Sequence, residues 1–301
     1  MKIKRRDFLK LTAVASTTVV AGDALAGEER HIDYDQCKAV LVDTTVCIGC
    51  RKCEWACNQA SKLPAGDIKS FEDKSVFNLH RRPSETALTV VNTYLDPSLP
   101  DKQRYLKVQC MHCNHPACVS ACIVGAIRKT EQGPVIYDAW KCMGCRYCMV
   151  ACPFQIPAYE YANALAPQVR KCSFCYERLT QEGKKPACVE ICPNEALTFG
   201  ARRELLELAH ARIELSPGRY YNHVYGEDEA GGTSWFYLAS ADFANTELPR
   251  LSSQPIPEAT EKIQHGVFKA FVPPLALYGL LALVMYTSKG NRDNGDSHER
   301  P

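Results

Sequence analysis

Sixteen of the 17 cysteines in this 301-residue chain fall into four groups of four, and their spacing limits the chemistry they can support. The groups lie in CIGCRKCEWAC, in CMHCNHPACVSAC, in CMGCRYCMVACPF, and in CSFC followed after twelve residues by CVEIC. In chain order the quartets are Cys47, Cys50, Cys53 and Cys57; Cys110, Cys113, Cys118 and Cys122; Cys142, Cys145, Cys148 and Cys152; and Cys172, Cys175, Cys188 and Cys192. Cys37 belongs to none of them.

The third quartet has the C-x2-C-x2-C-x3-C-P spacing that is typical of [4Fe–4S] ligation. Three cysteines on a tight loop can bind three irons of one cubane cluster, whereas the fourth, entering a helix, points toward a different cluster. In two-cluster ferredoxins each run therefore supplies three ligands to one cluster and one ligand to its neighbour. Two runs of this type and two variants predict iron–sulfur clusters.

Structural zinc is the main alternative for so many cysteines. A zinc ribbon takes its tetrahedron from two separated CxxC pairs, and only the fourth quartet resembles that arrangement. Three thiols within seven residues, as in the first and third quartets, suit a tetrahedral site poorly. Rieske-type ligation near His115 would need a second Cys-x-x-His, so we expect His112 and His115 to support their loop by hydrogen bonds.

The amino terminus indicates the compartment in which the thiols bind their cofactor. Residues 1–26 combine a charged start, a mild apolar run and ALA at 24–26, which is typical of a cleaved export signal. The Arg5–Arg6 pair resembles a twin-arginine signal, although Lys4 stands where Ser or Thr is usual. An ordinary secretory signal with a chance arginine pair is the alternative. Export of a folded chain favours a cofactor inserted in the reducing cytoplasm over disulfides.

The segments between the quartets predict the elements that must position them. AIRK and PVIYD, separated by TEQG, predict a hairpin, and TALTVVNTY with RYLKVQC predicts paired strands. RRELLELAHARIEL has apolar residues at helical spacing, and SWFYLAS has the composition of a strand. The basic HRRP at 80–83 is expected to be a solvated loop. Six basic residues that flank ligands could influence cluster potentials: Arg51, Lys52, Lys141, Arg146, Arg170 and Lys171.

This organisation predicts an α+β fold of two nested ferredoxin-like 2[4Fe–4S] modules with an insertion, within a domain at 27–250. The inner module is expected at 104–160, and the outer module is split between 38–60 and 168–200. The formal net charge of +2 gives no broad basic field, so we expect no nucleic-acid partner. We find no nucleophile–base set, P-loop or dinucleotide fingerprint, so we predict no catalytic residues.

The carboxyl-terminal region predicts one membrane-spanning helix. A proline-containing linker at 251–269 is followed by 19 uncharged residues at 270–288, which is enough to span a bilayer. The tail at 289–301 would lie on the cytoplasmic side if the preceding domain is exported. A buried or partner-docked helix is the alternative interpretation.

The motifs QCMHCNHPACVSAC and CMGCRYCMVACPF resemble the four-cluster ferredoxin-like subunits of membrane-bound oxidoreductases, the formate dehydrogenase and DMSO reductase type. HVYGEDEAGGTSWFYLAS, ELPRL, IQHGVFKAFVPPLAL and the twin-arginine segment narrow the resemblance to the HybA-type iron–sulfur subunit of hydrogenase-2-type [NiFe] hydrogenases. The similarity covers roughly residues 38–250.

The resemblance implies four [4Fe–4S] clusters and a pairing of their sixteen cysteine ligands. One cluster would take Cys47, Cys50, Cys53 and Cys192, and its neighbour Cys172, Cys175, Cys188 and Cys57. The inner pair would use Cys110, Cys113, Cys118 and Cys152, and Cys142, Cys145, Cys148 and Cys122.

The resemblance also implies partners and a location. The chain would relay electrons between the small and large subunits of a periplasmic hydrogenase and an integral membrane quinone-reactive subunit. It would lie on the periplasmic face of the inner membrane and contact lipid through its carboxyl-terminal helix. The same role for a formate dehydrogenase or another molybdopterin oxidoreductase is the alternative.

Overall fold

The computed structural model describes residues 32–258 except 98, together with 260–261, 278–279, 281–282 and 285. The chain divides into two compact units, Met1–Asp33 and Tyr34–Pro301, and nearly all of the first lies outside the described residues. The predicted export signal at 1–26 and most of the predicted span at 270–288 also lie outside them. Where the structure describes the chain, no helix combines the length and apolar character needed to cross a membrane.

The described part of the second unit contains short strands and helices in alternation. Its strands are β1 (Lys38–Asp43), β2 (Val90–Tyr94), β3 (Arg104–Val108), β4 (Ile127–Lys129), β5 (Val135–Tyr137), β6 (Ala158–Tyr159), β7 (Val169–Arg170), β8 (Leu197–Ala201) and β9 (Trp235–Leu238). Its α-helices are α1 (Lys52–Ala60), α2 (Ala117–Ser120), α3 (Tyr147–Ala151), α4 (Tyr176–Gln181), α5 (Ala187–Glu190) and α6 (Arg202–Leu215). Strands and helices mix along the chain, so the domain has a mixed α/β, ferredoxin-like architecture.

A three-stranded sheet with the order β8-β1-β9 joins distant parts of the chain. β1 is antiparallel to β8, with Val42 opposite Leu197, and parallel to β9, with Val40 opposite Trp235. The first quartet follows β1, and the fourth quartet ends just before β8. Because antiparallel pairing sets the end of β1 beside the start of β8, it brings these two quartets together.

The β4–β5 hairpin brings the second and third quartets together. Ile127, which follows the second quartet, pairs with Tyr137, which precedes the third quartet. The hairpin predicted from AIRK and PVIYD is therefore confirmed, as is the pairing of the strands from TALTVVNTY and RYLKVQC, which form β2 and β3. A further antiparallel pair joins β6 to β7.

Helix α6 covers one face of the three-stranded sheet. Its Leu205 and Ala209 are buried in a cluster with Leu41 and Phe236 of the sheet. The apolar spacing in the sequence therefore predicted both the helix and its packing face correctly. The opposite side of the sheet contributes Trp235 to a larger cluster that also contains cysteines of the quartets.

The segment at 80–83 differs from the predicted solvated loop. Arg81 forms an ion pair with Glu54 of α1 at 2.7 Å, and His80 lies 2.8 Å from Glu247. Arg82 donates hydrogen bonds to the carbonyls of Phe154 and Gln155, just after the third quartet. The buried Glu54 carboxylate needs donors, and the insertion supplies them. The solvated-loop prediction was wrong, because these basic side chains tie the insertion to the segments that hold the cysteines.

Candidate iron–sulfur cluster sites

The four CxxC loops share one backbone feature. The residue before the second cysteine is left-handed in each: Gly49 (φ 64°), His112 (φ 49°), Gly144 (φ 73°) and Phe174 (φ 61°). Glycine adopts this conformation at no steric cost, and a Cβ on Gly49 would lie 2.3 Å from the Tyr105 ring. Each loop therefore makes the same tight turn between its first two thiols.

In the second, third and fourth quartets the third cysteine lies in a short helix, and the chain makes the same turn after the fourth cysteine. The third residue after the last cysteine is left-handed in the second, third and fourth quartets, at Gly125, Gln155 and Glu195. Its amide donates to the carbonyl of that cysteine at 3.1, 3.0 and 3.3 Å, respectively. The repeated turn reverses the chain directly after the last thiol of each of these quartets.

One cavity collects four thiols from two quartets that lie far apart in the sequence. Its walls include Cys47, Cys50, Cys53 and Cys192, a set that we name site A. Apolar side chains such as Val42, Val91 and Leu197 complete the walls, and Lys107 contributes one basic group. The pairing of β1 with β8 explains why the fourth quartet supplies a thiol to the first.

A second cavity collects four thiols from the other two quartets. Its walls include Cys122, Cys142, Cys145 and Cys148, named site D. Ala126, Ile127, Tyr137 and Val169 surround them. The β4–β5 hairpin explains this combination, since it joins the end of the second quartet to the start of the third.

The resemblance assigns the remaining eight thiols to two further sets, and members of each set affect one another electrostatically. Burial, followed by the neighbouring Cys188 and Cys175, raises the pKa of Cys57 to about 12, and burial followed by Cys57 raises the pKa of Cys172. Burial, followed by the neighbouring Cys110, Cys118 and Cys152, raises the pKa of Cys113. We name Cys57, Cys172, Cys175 and Cys188 site B, and Cys110, Cys113, Cys118 and Cys152 site C.

Sites A and D bring together the thiols of two of the ligand sets that the resemblance implies, whereas sites B and C follow the resemblance, and binding of iron at all four stays a prediction. None of the 17 cysteines, all of which lie in the described part, forms a disulfide. No group of three or more His, Cys, Asp or Glu side chains among the described residues converges closely enough for a single metal ion. The thiols of sites A and D are instead distributed around cavity walls, which fits a polynuclear cluster with one thiolate on each iron.

Burial controls the chemistry of these thiols. It raises the pKa of Cys47 and of Cys148 to about 11 and that of Cys118 to about 12. The thiols are thus protonated at neutral pH, whereas a metal ligand must be a thiolate. Loading of the sites with iron must therefore displace protons, and the positive irons would compensate the buried negative charge.

Backbone amides near the sites donate to thiol sulfurs. The amide of Gly144 lies 3.4 Å from Cys142 Sγ, and that of Phe174 lies 3.3 Å from Cys172 Sγ. The amide of Ala126 donates to Cys122 Sγ at 3.2 Å. Such bonds stabilise negative charge on sulfur and tend to raise the reduction potential of a bound cluster.

Sites B and C meet where two of the CxxC loops pack together. The rings of His112 and Phe174, the left-handed residues of the second and fourth quartets, lie 5.0 Å apart in an edge-to-face arrangement. Cys110 of site C raises the pKa of Cys172 of site B, after the larger effect of burial. Val135 donates its amide to His112 Nδ1 at 2.8 Å, which confirms the predicted supporting role of His112.

Lys107 is the functional candidate that the sequence interpretation missed. It is buried in β3, lines site A, and alters the pKa of thiols in both site A and site B. The sequence contains a signal for it, because RYLKVQC places a lysine within an apolar strand just before the second quartet.

Of the six flanking basic residues singled out earlier, Lys171 and Arg51 are buried, whereas Lys141 and Arg146 are exposed.

Comparison with known proteins adds independent information. Residues 102–202, which include the second, third and fourth quartets, match a family model described as a 4Fe-4S dicluster domain. The hydrogenase-2 operon protein HybA of Escherichia coli O157:H7 is 35% identical over 331 residues, covering 99% of this chain and 100% of HybA.

Two further similarities involve other bacterial proteins. The iron–sulfur subunit of the nitrate-inducible formate dehydrogenase of Escherichia coli K12 is 30% identical over 289 residues, covering 94% of this chain and 91% of that subunit. A protein of Nitratidesulfovibrio vulgaris, whose name states no function, is 50% identical over 261 residues, covering 85% of this chain and 70% of that protein.

Proposed function

The chain belongs to the family of HybA-type iron–sulfur electron-transfer subunits, which is related to the iron–sulfur subunits of formate dehydrogenases, and from this premise we propose its specific role. It relays electrons through four [4Fe–4S] clusters between a periplasmic [NiFe] hydrogenase and an integral membrane partner that reacts with quinone. The chain itself contributes no catalytic residue. Its function is to hold and insulate the clusters and to set their potentials.

The gathering of four thiols around a cavity at site A and again at site D is the observation that supports this proposal. When bound, each cluster supplies a centre that accepts and donates one electron. The chain supplies the thiolates, excludes water with apolar walls such as Val42 and Val169, and donates backbone amides to sulfur. Zinc sites would need four sulfurs converging on one ion at about 2.3 Å.

We propose that electrons pass along the sites in the order A, B, C, D or its reverse. Helix α1 carries Cys53 of site A and Cys57 of site B, so these sites are neighbours. The second quartet joins site C to site D in the same way, and the contact between His112 and Phe174 joins B to C. Sites A and D are therefore the two ends of the relay.

The surface around site D supports contact with a redox partner at that end. Cys145 is exposed, and Trp140, Met143, Tyr147 and Val150 nearby expose 95%, 62%, 60% and 87% of their surface. Exposed apolar patches of this kind usually mark interaction sites. We expect a hydrogenase subunit or the membrane subunit to cover this patch.

For location, we propose that the protein is exported folded and anchored at the periplasmic face of the inner membrane. The support is the sequence alone, namely the paired arginines in 1–26 and the uncharged residues at 270–288.

Electron transfer for a formate dehydrogenase is the second candidate function. The similarity to the iron–sulfur subunit of a formate dehydrogenase over 94% of this chain favours it. The two candidates share the relay and differ only in the catalytic partner, so a test must identify that partner.

The test is to purify the full chain with an affinity tag from detergent-solubilised membranes of its source organism, without air, and to identify the subunits that co-purify. The complex is then exposed to hydrogen or to formate, and cluster reduction is followed by electron paramagnetic resonance (EPR). We expect hydrogenase small and large subunits and reduction by hydrogen. Co-purification of a molybdopterin subunit, with reduction by formate alone, would establish the second candidate and refute the first.

The matched variants for this test are Cys145→Ala, which removes a ligand of site D, and Cys37→Ala, which removes a cysteine outside every set. We expect Cys145→Ala to interrupt reduction of the quinone-linked partner by hydrogen, whereas Cys37→Ala should leave it intact. Equal activity of the two variants would contradict the assignment of site D to the relay.

A further inference from the structure

Lys107 is a buried cation with only neutral groups as direct contacts. It is 3% exposed, and Nζ donates to Thr89 Oγ1 at 2.7 Å and to Gln109 Oε1 at 2.9 Å. Nζ also lies 4.6 Å from the centroid of the Trp235 ring. Among the residues that the structure describes, no carboxylate forms an ion pair or a hydrogen bond with this ammonium group.

An isolated buried ammonium ion is unfavourable, so its charge requires a compensating negative group nearby. The candidate groups are cysteine ligands. Lys107 lies in the wall of site A with Cys53, and its Nζ packs on Trp235, which belongs to the same buried cluster as Cys172 and Cys188 of site B. Lys107 therefore lies where it can act on both sites at once.

Two further lysines, the buried Lys171 and the half-buried Lys129, occupy different positions. Lys129 Nζ donates to the carbonyls of His112 and Cys113, in the loop of site C. Lys171 Nζ donates to the carbonyls of Val135 and Cys172. These two side chains cap backbone carbonyls in the cysteine loops and have a structural explanation, whereas Lys107 is held by side chains and faces a cavity.

We propose that the fixed positive charge of Lys107 raises the reduction potentials of the clusters at sites A and B together. A reduced cluster carries one more negative charge than the oxidised one, so a nearby cation that water does not screen stabilises the reduced form. Thr89, Gln109 and Trp235 orient the ammonium group without neutralising it. This inference rests on the proposed function, because it requires clusters at these sites.

Burial lowers the pKa of Lys107, whereas the negative charge that nearby cysteines carry when ionised, Cys188 and Cys53 first, raises it, so that the pKa lies above the usual range. In return, Lys107 lowers the pKa of Cys53 and Cys57, partly opposing the effect of burial.

The experiment measures the four midpoint potentials of the anaerobically purified full chain by redox titration with EPR detection. Lys107→Gln removes the charge and keeps a polar side chain, whereas Lys107→Arg keeps the charge. Gln109→Glu leaves Lys107 in place and adds a carboxylate beside Nζ. Lys102→Gln removes an exposed lysine from the segment before β3 and serves as the matched control.

We expect Lys107→Gln and Gln109→Glu to lower the potentials of two of the four clusters, with at least a tenfold loss of the reduced form at fixed potential. A tenfold change corresponds to about 59 mV for a one-electron couple. Lys107→Arg and Lys102→Gln should leave all four potentials close to those of the unmodified protein. A purely structural role for Lys107 would lower stability and leave the potentials of intact clusters unchanged.

The outcomes separate the inference from the proposed function. Unmodified protein without iron–sulfur clusters would refute the proposed function. Full iron content and four unchanged potentials in Lys107→Gln would overturn only the inference. If Lys107→Gln does not bind clusters at sites A and B, the inference is tested with Gln109→Glu. Full iron content and four unchanged potentials in that variant would then overturn it. Loss of iron from both variants but not from Lys107→Arg would assign the charge to cluster loading, and the inference about potentials would be overturned.

Discussion

Replacement of Glu54 by alanine should destabilise the half of the protein that contains sites A and B. Glu54 lies in α1, between Cys53 and Cys57, and is 3% exposed. Its carboxylate accepts hydrogen bonds from Arg51 at 3.1 Å, from Arg81 at 2.7 Å and from the amide of Val91 at 2.7 Å. One side chain thus links the first quartet to the insertion.

The size of the destabilisation follows from the charged groups that Glu54→Ala leaves without their partner. Two guanidinium groups lose their carboxylate, and the Arg51 side chain is only 8% exposed. Removing one partner of a buried ion pair costs about 3–5 kcal/mol, because the other charge stays buried without compensation. For a domain of this size that loss lowers the midpoint of thermal unfolding by about 6–20 °C.

The assay is anaerobic heating of the cluster-loaded protein, with the visible absorbance of the clusters and the circular dichroism recorded together. We expect Glu54→Ala to lose visible absorbance in two stages, the first from sites A and B. Glu54→Gln keeps the shape and an acceptor for the Val91 amide, so its midpoint should lie between those of Glu54→Ala and the unmodified protein.

Glu207→Ala is the matched control, since Glu207 is 72% exposed and forms only a loose pair with Arg203 on α6. Its midpoint should equal that of the unmodified protein. If Glu54→Ala unfolds at the same temperature as Glu207→Ala, the insertion does not stabilise the first quartet through this carboxylate, and the reasoning is wrong.

Three further predictions follow from the site and the fold. Cys145→Ala should abolish one of four cluster signals in EPR while Cys37→Ala keeps all four, and an unchanged Cys145→Ala spectrum would refute that ligand assignment. Leu205→Ala should lower the free energy of unfolding by about 2–5 kcal/mol without loss of a cluster signal, because it empties the α6–sheet contact away from the sites; denaturant titration checks this. Assembly of the clusters from iron and sulfide should release protons and become more favourable as the pH rises from 6.5 to 8.5. Thiols with a pKa of about 11, such as Cys47, must lose a proton when they bind iron. Cluster assembly that does not depend on pH would contradict this prediction.

The local parts of this structure could be predicted from the sequence. The third quartet has a spacing that only a few metal sites use, and the AIRK–PVIYD hairpin is a short-range pattern with a glycine turn. Helix α6 follows from the 3.6-residue period of its apolar side chains, of which Leu205 and Ala209 are buried. In each case neighbouring residues contain the whole signal.

The long-range parts could not be predicted from residue patterns. Phe199 pairs with Val40, and no local pattern encodes a contact between residues so far apart in the sequence. Residue patterns could not assign Cys192 to the same cluster as cysteines of the first quartet for the same reason, so that assignment came from the family resemblance. The ion pair between Arg81 and Glu54 was missed because HRRP has the composition of a solvated loop, and only the tertiary structure brings the buried carboxylate to it.

Two left-handed residues illustrate how tertiary contacts override local preference. A non-glycine residue in this conformation costs about 1–2 kcal/mol, so sequence gives no reason to expect it at His112 or Phe174. Their rings pack against each other, and Phe174 also contacts Trp235 at 5.8 Å. The packing compensates the strain and fixes the contact between sites B and C.

The most direct test of the central claim is quantitative metal and sulfide analysis of the full chain purified without air, together with its Mössbauer spectrum. Four cubane clusters predict about 16 iron atoms and about 16 acid-labile sulfides per chain, with no zinc. A colourless preparation that contains zinc, or one without iron, would contradict the account.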